Sequence, residues 1–175
     1  DATTVRGGVR VSAMFVDQAE IVVRGGAGGD GCSAHMLFPM NRYPRPSGGS
    51  AGEGGDAVLL ADPQLTTLLD FQVKHEFKGG RGGHGGNNNR TGARGKETIV
   101  RVPVGTVVYD AEAGYVLRDL VRPGDRLVVA RGGTGGLGNA NAPTATAGHP
   151  GQMRRLRLEL QLIADVGLLG LPHAG

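Results

Sequence analysis

From Arg154 to Leu162 the chain reads RRLRLELQL, with Leu156, Leu158, Leu160 and Leu162 on one side of a two-residue period and Arg155, Arg157, Glu159 and Gln161 on the other. Such alternation predicts a strand with one face buried and one face wet. The next run, IADVGLLG (163–170), is nearly all apolar, as a strand covered on both faces would be, and a domain boundary is placed near residue 160. Upstream, VDQAEIVVR (16–24), DAVLLAD (56–62), ETIVRVP (97–103), TVVYD (106–110), YVLRDL (115–120) and RLVVAR (126–131) are rich in β-branched and aliphatic residues and read as short strands. Turn residues separate them: Pro103 with Gly105, Ala113 with Gly114, and Pro123-Gly124-Asp125. Strands at this spacing predict a mainly β protein, a small antiparallel barrel or sandwich. The run DPQLTTLLDF (62–71) is open between a helical turn and another strand.

A second pattern, with no apolar face at all, lies between these runs. Glycine patches occupy 24–31, 48–55, 79–95 and 131–138, and RGGAGGDG (24–31) returns as RGGTGGLG (131–138), each copy following an apolar run. Glycine supplies 33 of 175 residues, against about 7% in average usage. Gly26, Gly28 and Gly31, and again Gly133, Gly135 and Gly138, satisfy the spacing of a dinucleotide fingerprint. That motif needs a helix opening at the last glycine. Here the first copy runs into Pro39, Pro44 and Pro46, and the second into Pro143 and Pro150 with no helical period, which excludes it. RGG triplets at 6–8, 24–26, 81–83 and 131–133 also fit a disordered arginine–glycine segment that binds single-stranded RNA. Disorder requires a long stretch of low hydrophobicity, whereas each patch is short and tied at both ends to a strand. Glycine recurring every third residue, as in GGRGGHGG (79–86), matches the three-residue turn of a left-handed polyproline-II helix. Several such helices could bundle at backbone distance above a β base, a stiff finger with almost no apolar core. Gly25, Gly28, Gly31, Gly132, Gly135 and Gly138 are then structural, because a Cβ would force neighbouring helices apart.

Charge changes this picture by location. The formal net charge is +3, and Arg24, Lys78, Arg81, Arg90, Arg94, Lys96 and Arg131 all sit at the glycine patches. Clustered cations are either solubilising loop charge or the footprint of a phosphate-backbone partner. For RNA, the loop RGGHGGNNNRTGARGK (81–96) is the first candidate: Arg81, Arg90, Arg94 and Lys96 for phosphates, Asn87, Asn88 and Asn89 as donors and acceptors. His84 is open between RNA contact and a structural surface role, Arg24 and Arg131 between RNA contact and internal pairing. Arg42 and Arg45 come second. The one cysteine, Cys32, excludes an internal disulfide framework and reads as a small buried residue, not a nucleophile. The five histidines show no metal-ligand spacing and no apolar run is long enough to span a bilayer, so neither a metal, nor catalysis, nor a membrane span is expected of this segment. Gly170-Leu171-Pro172-His173-Ala174-Gly175 fits the opening of a phosphate-binding loop after a buried strand, and equally a plain glycine turn; Gly170, Pro172, Ala174 and Gly175 are its nucleotide-binding candidates.

MFVDQAEIVVRGGAGGDG (14–31), GGSAGEGGDAVLLAD (48–62), FKGGRGGHGGNNNRTGARG (77–95), VRVPVGTVVYD (100–110), VVARGGTGGLGN (128–139) and LELQLIADVGLLGLPHAG (158–175) together resemble the Obg family of GTPases, in the family's order. The resemblance covers about Met14 to Gly175. It implies an Obg fold, a small β-barrel-like base with six glycine-rich left-handed helices projecting from it. It also implies docking on the large ribosomal subunit and its rRNA, loop tips toward the peptidyl-transferase centre, with ribosomal proteins as further partners. The parent protein would hydrolyse GTP with Mg²⁺ and act in large-subunit biogenesis and in nutrient or stress responses, in the bacterial cytoplasm, a chloroplast stroma or a mitochondrial matrix. Residues 1–13 would be a tag or transit-peptide remnant, 14–159 the glycine-rich domain, and 160–175 the start of a GTPase domain; a monomer is expected. After its first ladder the family carries a basic run; here LFPMNRYPRPSGG (37–49) leaves Arg42 and Arg45 in that place. A structural or protein-interaction module without RNA contact is the alternative.

Overall fold

The computed structural model describes residues 11–40 and 42–166. The phosphate-loop candidates Gly170, Pro172, Ala174 and Gly175, and most of the 1–13 extension, lie outside the described residues. The elements are β1 (Val11–Arg24), β2 (His35–Met36), β3 (Arg45–Pro46), β4 (Ala57–Asp62), a 3₁₀ turn (Leu69–Gln72), β5 (Glu76–Lys78), β6 (Thr98–Pro103), β7 (Thr106–Asp110), β8 (Val116–Leu120), β9 (Arg126–Ala130) and β10 (Met153–Val166). The runs 56–62, 97–103, 106–110, 115–120 and 126–131 thus become strands within a residue or two of the positions their pattern indicates, whereas β1 starts five residues before 16 and β10 continues unbroken from the alternating run into 163–166. The ambiguous run 62–71 turns over into the 3₁₀ turn, held to β1 where Asp17 Oδ2 accepts from the Thr67 hydroxyl at 2.9 Å and the Leu68 N–H at 2.8 Å. The three turn signals hold glycines in the left-handed region: Gly105 at φ +94°, Gly114 at +83° and Gly124 at +84°.

The strands form a five-stranded sheet in the order β5-β1-β10-β7-β8, a three-stranded sheet β6-β4-β9, and the two-stranded β2-β3. No closed barrel forms among the described residues. Both larger sheets feed one apolar core: Ile21 and Val23 from β1, Leu59 from β4, Val100 and Val102 from β6, Val129 from β9, and Leu156, Leu158 and Leu160 from β10. The leucine alternation lands as its period requires, with Leu156 and Leu158 buried and Arg155 and Gln161 exposed. β10 pairs with β1 without a break from Arg24↔Met153 to Val11↔Val166.

An all-antiparallel arrangement is corrected: β4 pairs β6 in parallel, and β1 pairs β5 in parallel. The glycine segments explain why. β1, β5 and β9 each lead into a glycine-rich segment, whereas β4, β6 and β10 each follow one. Strands entering the glycine region share one direction and strands leaving it share the other.

Candidate nucleic-acid interface

Six segments carry the second pattern: 24–31, 47–56, 78–86, 90–96, 131–138 and 145–152. They hold one another through backbone hydrogen bonds at three-residue intervals. Gly26, Gly29 and Cys32 N–H donate to the carbonyls of Gly55, Gly52 and Gly49, at 2.8, 3.1 and 3.0 Å. Gly49, Gly52 and Gly55 N–H donate in turn to Gly86, Gly83 and Gly80, at 2.9, 2.9 and 2.8 Å. Gly79, Gly82 and Gly85 N–H close that triangle on Arg24, Ala27 and Asp30, at 2.8, 2.8 and 3.0 Å. On the other side Gly133, Gly136 and Asn139 N–H donate to Gly26, Gly29 and Cys32, at 2.8, 2.9 and 3.0 Å. The ladders 24–31 and 131–138, a hundred residues apart in sequence, are therefore neighbours.

Exposure follows the same period. Arg24, Asp30, Lys78, Arg81, His84, Asn87, Arg131, Thr134 and Leu137 face solvent, and the glycines between them turn inward. A Cβ built on Gly25, Gly28 or Gly31 would come within 3.0 Å of the carbonyl oxygen of Arg131, Thr134 or Leu137. At Gly132, Gly135 and Gly138 it would meet the carbonyls of Gly54, Ala51 and Gly48 in the same way. None of these ladder glycines has a left-handed φ; glycine is required here by close approach, not by backbone conformation. Segments packed among several others (24–31, 47–56, 78–86, 131–138) carry about two glycines per three residues. The peripheral 90–96 and 145–152 carry one, at Gly92 and Gly95 and at Gly148 and Gly151. With neighbours on one side only, only one row of positions must lack a side chain.

The finger runs from the sheets, near Arg24, Asp56, Lys78 and Gln152, to a tip made by three connections: the β2-β3 hairpin (35–46), the turn 87–89 and the turn 139–144. Arg42, Arg45, Asn87, Asn88, Asn89 and Arg90 are brought together at this end and are exposed. Arg81, Arg94 and Lys96 lie instead along the shaft. Arg81 sits 3.8 Å from Asp30, a long contact between two groups largely in water and worth little; Arg94 lies 3.8 Å from Asp56, whose largely buried carboxylate also accepts the Gly132 N–H at 2.8 Å. Arg24, Arg42, Arg45, Arg90, Lys96 and Arg131 form no ion pair among the described residues. Arg24 lies beside Lys78 in the β1-β5 register, so these two cations stand together where the finger meets the base. His84 has a structural bond, its Nδ1 accepting from the Asp30 N–H at 2.9 Å. Cys32 is half-buried, with Sγ 3.8 Å from Asn87 Oδ1.

Reading LFPMNRYPRP for charge alone overlooks its apolar side chains. Leu37, Phe38, Met40 and Tyr43 are all exposed, Met40 at 94%. Asn139 and Asn141, outside the candidate loop 81–96, lock the tip: Asn139 Oδ1 accepts from the Gly48 N–H at 2.7 Å, and Asn141 Nδ2 donates to Asn89 Oδ1 at 2.9 Å. Their only sequence signal was an asparagine pair after a glycine ladder. Among the described residues no three His, Cys, Asp or Glu side chains assemble a metal site, and no helix is long and apolar enough to cross a membrane.

The GTP1/OBG family model matches residues 16–162. The GTPase Obg of Synechococcus sp. is 54% identical over 169 residues, covering 92% of this chain and 44% of that protein. That of Persephonella marina is 49% identical over 169 residues, covering 92% and 50%. That of Trichormus variabilis is 51% identical over 170 residues, covering 93% and 50%. The chain spans about half the length of the curated relatives it matches.

Proposed function

The chain belongs to the GTP1/OBG family, and from that premise we propose that its finger docks on rRNA of the large ribosomal subunit during subunit biogenesis, tip foremost near the peptidyl-transferase centre. The observation that carries this reading is the tip itself, where Arg42, Arg45 and Arg90 are exposed and without a carboxylate partner among the described residues. Cations left unneutralised at the end of a narrow, coreless shaft suit a phosphate-lined crevice. The three-residue period of hydrogen bonds and of exposure supports a left-handed polyproline-II conformation in each segment. GTP binding and hydrolysis with Mg²⁺ belong to a GTPase domain of the full-length protein. Its start falls after residue 160, and Gly170, Pro172, Ala174 and Gly175 open its phosphate loop. The protein works in the bacterial cytoplasm or an organelle, as a monomer.

Co-sedimentation of the full-length protein with purified large subunits across a salt series tests this. The salt slope should fall by about 2–3 in Arg42→Ala/Arg45→Ala/Arg90→Ala, at roughly 0.7–0.9 per lost phosphate contact. An unchanged slope and affinity would remove RNA docking from the finger. A protein-interaction platform is the second reading, favoured by the exposed Leu37, Met40 and Tyr43.

A further inference from the structure

The three connections of the tip border an open cleft of about 330 Å³ lined by Phe38, Pro46, Ser47, Asn88, Asn89 and Ala140. This lies at the lower end of the roughly 300–1,000 Å³ typical of small-molecule sites. Its walls are fixed before any ligand arrives. The Asn89 N–H donates to the Ser47 carbonyl at 2.7 Å, the Ala140 N–H to the Gly48 carbonyl at 3.0 Å, and Asn141 Nδ2 to Asn89 Oδ1. Asn88 and Asn89 hold left-handed backbones, φ 58° and 53°, which asparagine tolerates better than most residues.

One polar group here is free to meet a ligand. The Asn88 amide, a donor and an acceptor in one planar group, is exposed and makes no hydrogen bond among the described residues. The Ser47 hydroxyl, shielded and unpaired, lies behind the wall and is out of a ligand's reach. Phe38, on the same cleft, is 41% exposed and offers a ring. The rims are cationic: Arg45 precedes Pro46 and Arg90 follows Asn89, both exposed.

From this juxtaposition we propose that the tip cleft receives one unstacked nucleobase of a single-stranded RNA segment, and does not merely rest on the backbone. Phe38 stacks on the base, Asn88 reads its edge, and Arg45 and Arg90 hold the phosphates on either side. Aromatic stacking, amide contact with a base edge and flanking cations are how proteins hold unpaired bases. The inference rests on the RNA-docking reading and adds to it a site for the base itself.

The test is fluorescence anisotropy of the full-length protein with a short labelled oligoadenylate and with the same backbone carrying abasic riboses. The base-bearing strand should bind about tenfold tighter. Phe38→Ala should abolish that difference and leave abasic binding unchanged; the side chain is partly exposed, so melting should not move. Asn88→Gly, which keeps the left-handed backbone at φ 58° and removes the amide, should weaken only the base-bearing strand. Equal, salt-sensitive binding of both strands would overturn the cleft and leave docking intact. Free adenosine monophosphate competing as well as the strand would also overturn it, marking a mononucleotide site. Failure to bind either strand or the large subunit would remove the docking reading together with this one.

Discussion

Gly28→Ala adds one methyl group where the geometry leaves no room for it. Its Cβ would approach the Thr134 carbonyl to less than 3.0 Å, and the obstacle is backbone, which cannot swing aside. Relief requires segment 131–138 to move away from 24–31 by roughly an ångström. Gly133→Gly26, Gly136→Gly29 and Asn139→Cys32, at 2.8, 2.9 and 3.0 Å, then stretch past the usual 2.7–3.2 Å range. Three bonds at about 0.5–1.5 kcal/mol each amount to about 3 kcal/mol. Alanine offsets about 0.4–1 kcal/mol by restricting the unfolded chain, leaving a net loss of about 2–3 kcal/mol. Gly86→Ala is the control, because a Cβ there meets only the flexible Arg90 side chain, at 3.4 Å and beyond. It should be neutral or slightly stabilising. Native-state amide exchange separates the two: Gly28→Ala should strip protection from Gly133, Gly136 and Asn139 while Leu158 in the base keeps its own. If the two variants unfold within a few tenths of a kcal/mol of each other, close approach is not what demands glycine in the ladders.

Gly124→Ala isolates the other use of glycine. Its φ is +84° and nothing lies within 4 Å of a built Cβ, so urea melts should show a loss of about 1 kcal/mol from backbone strain alone. Leu158→Ala should cost about 2–5 kcal/mol in the same melts, since the side chain is fully buried between β1 and β7 partners. Asp110 Oδ1 accepts from the Ala113 and Glu112 N–H groups at 2.9 Å each, and chiefly the Ala113 bond holds its carboxyl below 3.8. The turn's contribution is thus complete above that value and fades as pH falls through the lower, folded one. Carbon-detected NMR should find the Asp110 midpoint below 3.8 in the folded protein, and a midpoint at or above 3.8 would contradict the hydrogen-bond account.

The strands were legible because their signal is local: a period of two in 154–161 states which face is wet, and Gly105, Gly114 and Gly124 mark the turns. The ladders were legible as ladders for the same reason. Their partners were not, because a backbone packed on a backbone leaves no complementary side chain to read. Segment 145–152 went unrecognised because, at the bundle's edge, it needs glycine only at 148 and 151, and so looks like an ordinary loop. The parallel pairings of β4 with β6 and β1 with β5 follow from chain direction in the finger, which strand composition does not encode. At the tip, a two-residue hairpin lies below the length at which alternation is detectable. Phe38, Asn88 and Ala140 come from separate connections, so nothing in sequence announced their shared cleft.

Hydrogen bonds repeating at every third residue across all six segments make the finger's length discontinuous. A single residue inserted into 79–86 would throw everything beyond it out of the three-residue register, presenting a side chain where a neighbour's carbonyl lies. Three inserted residues would restore the register but outrun the partners. The shaft can lengthen only if every segment gains three residues together, a change that ordinary insertions do not make. Its reach is therefore fixed as on a gauge block, and only the connections at its end can change length one residue at a time.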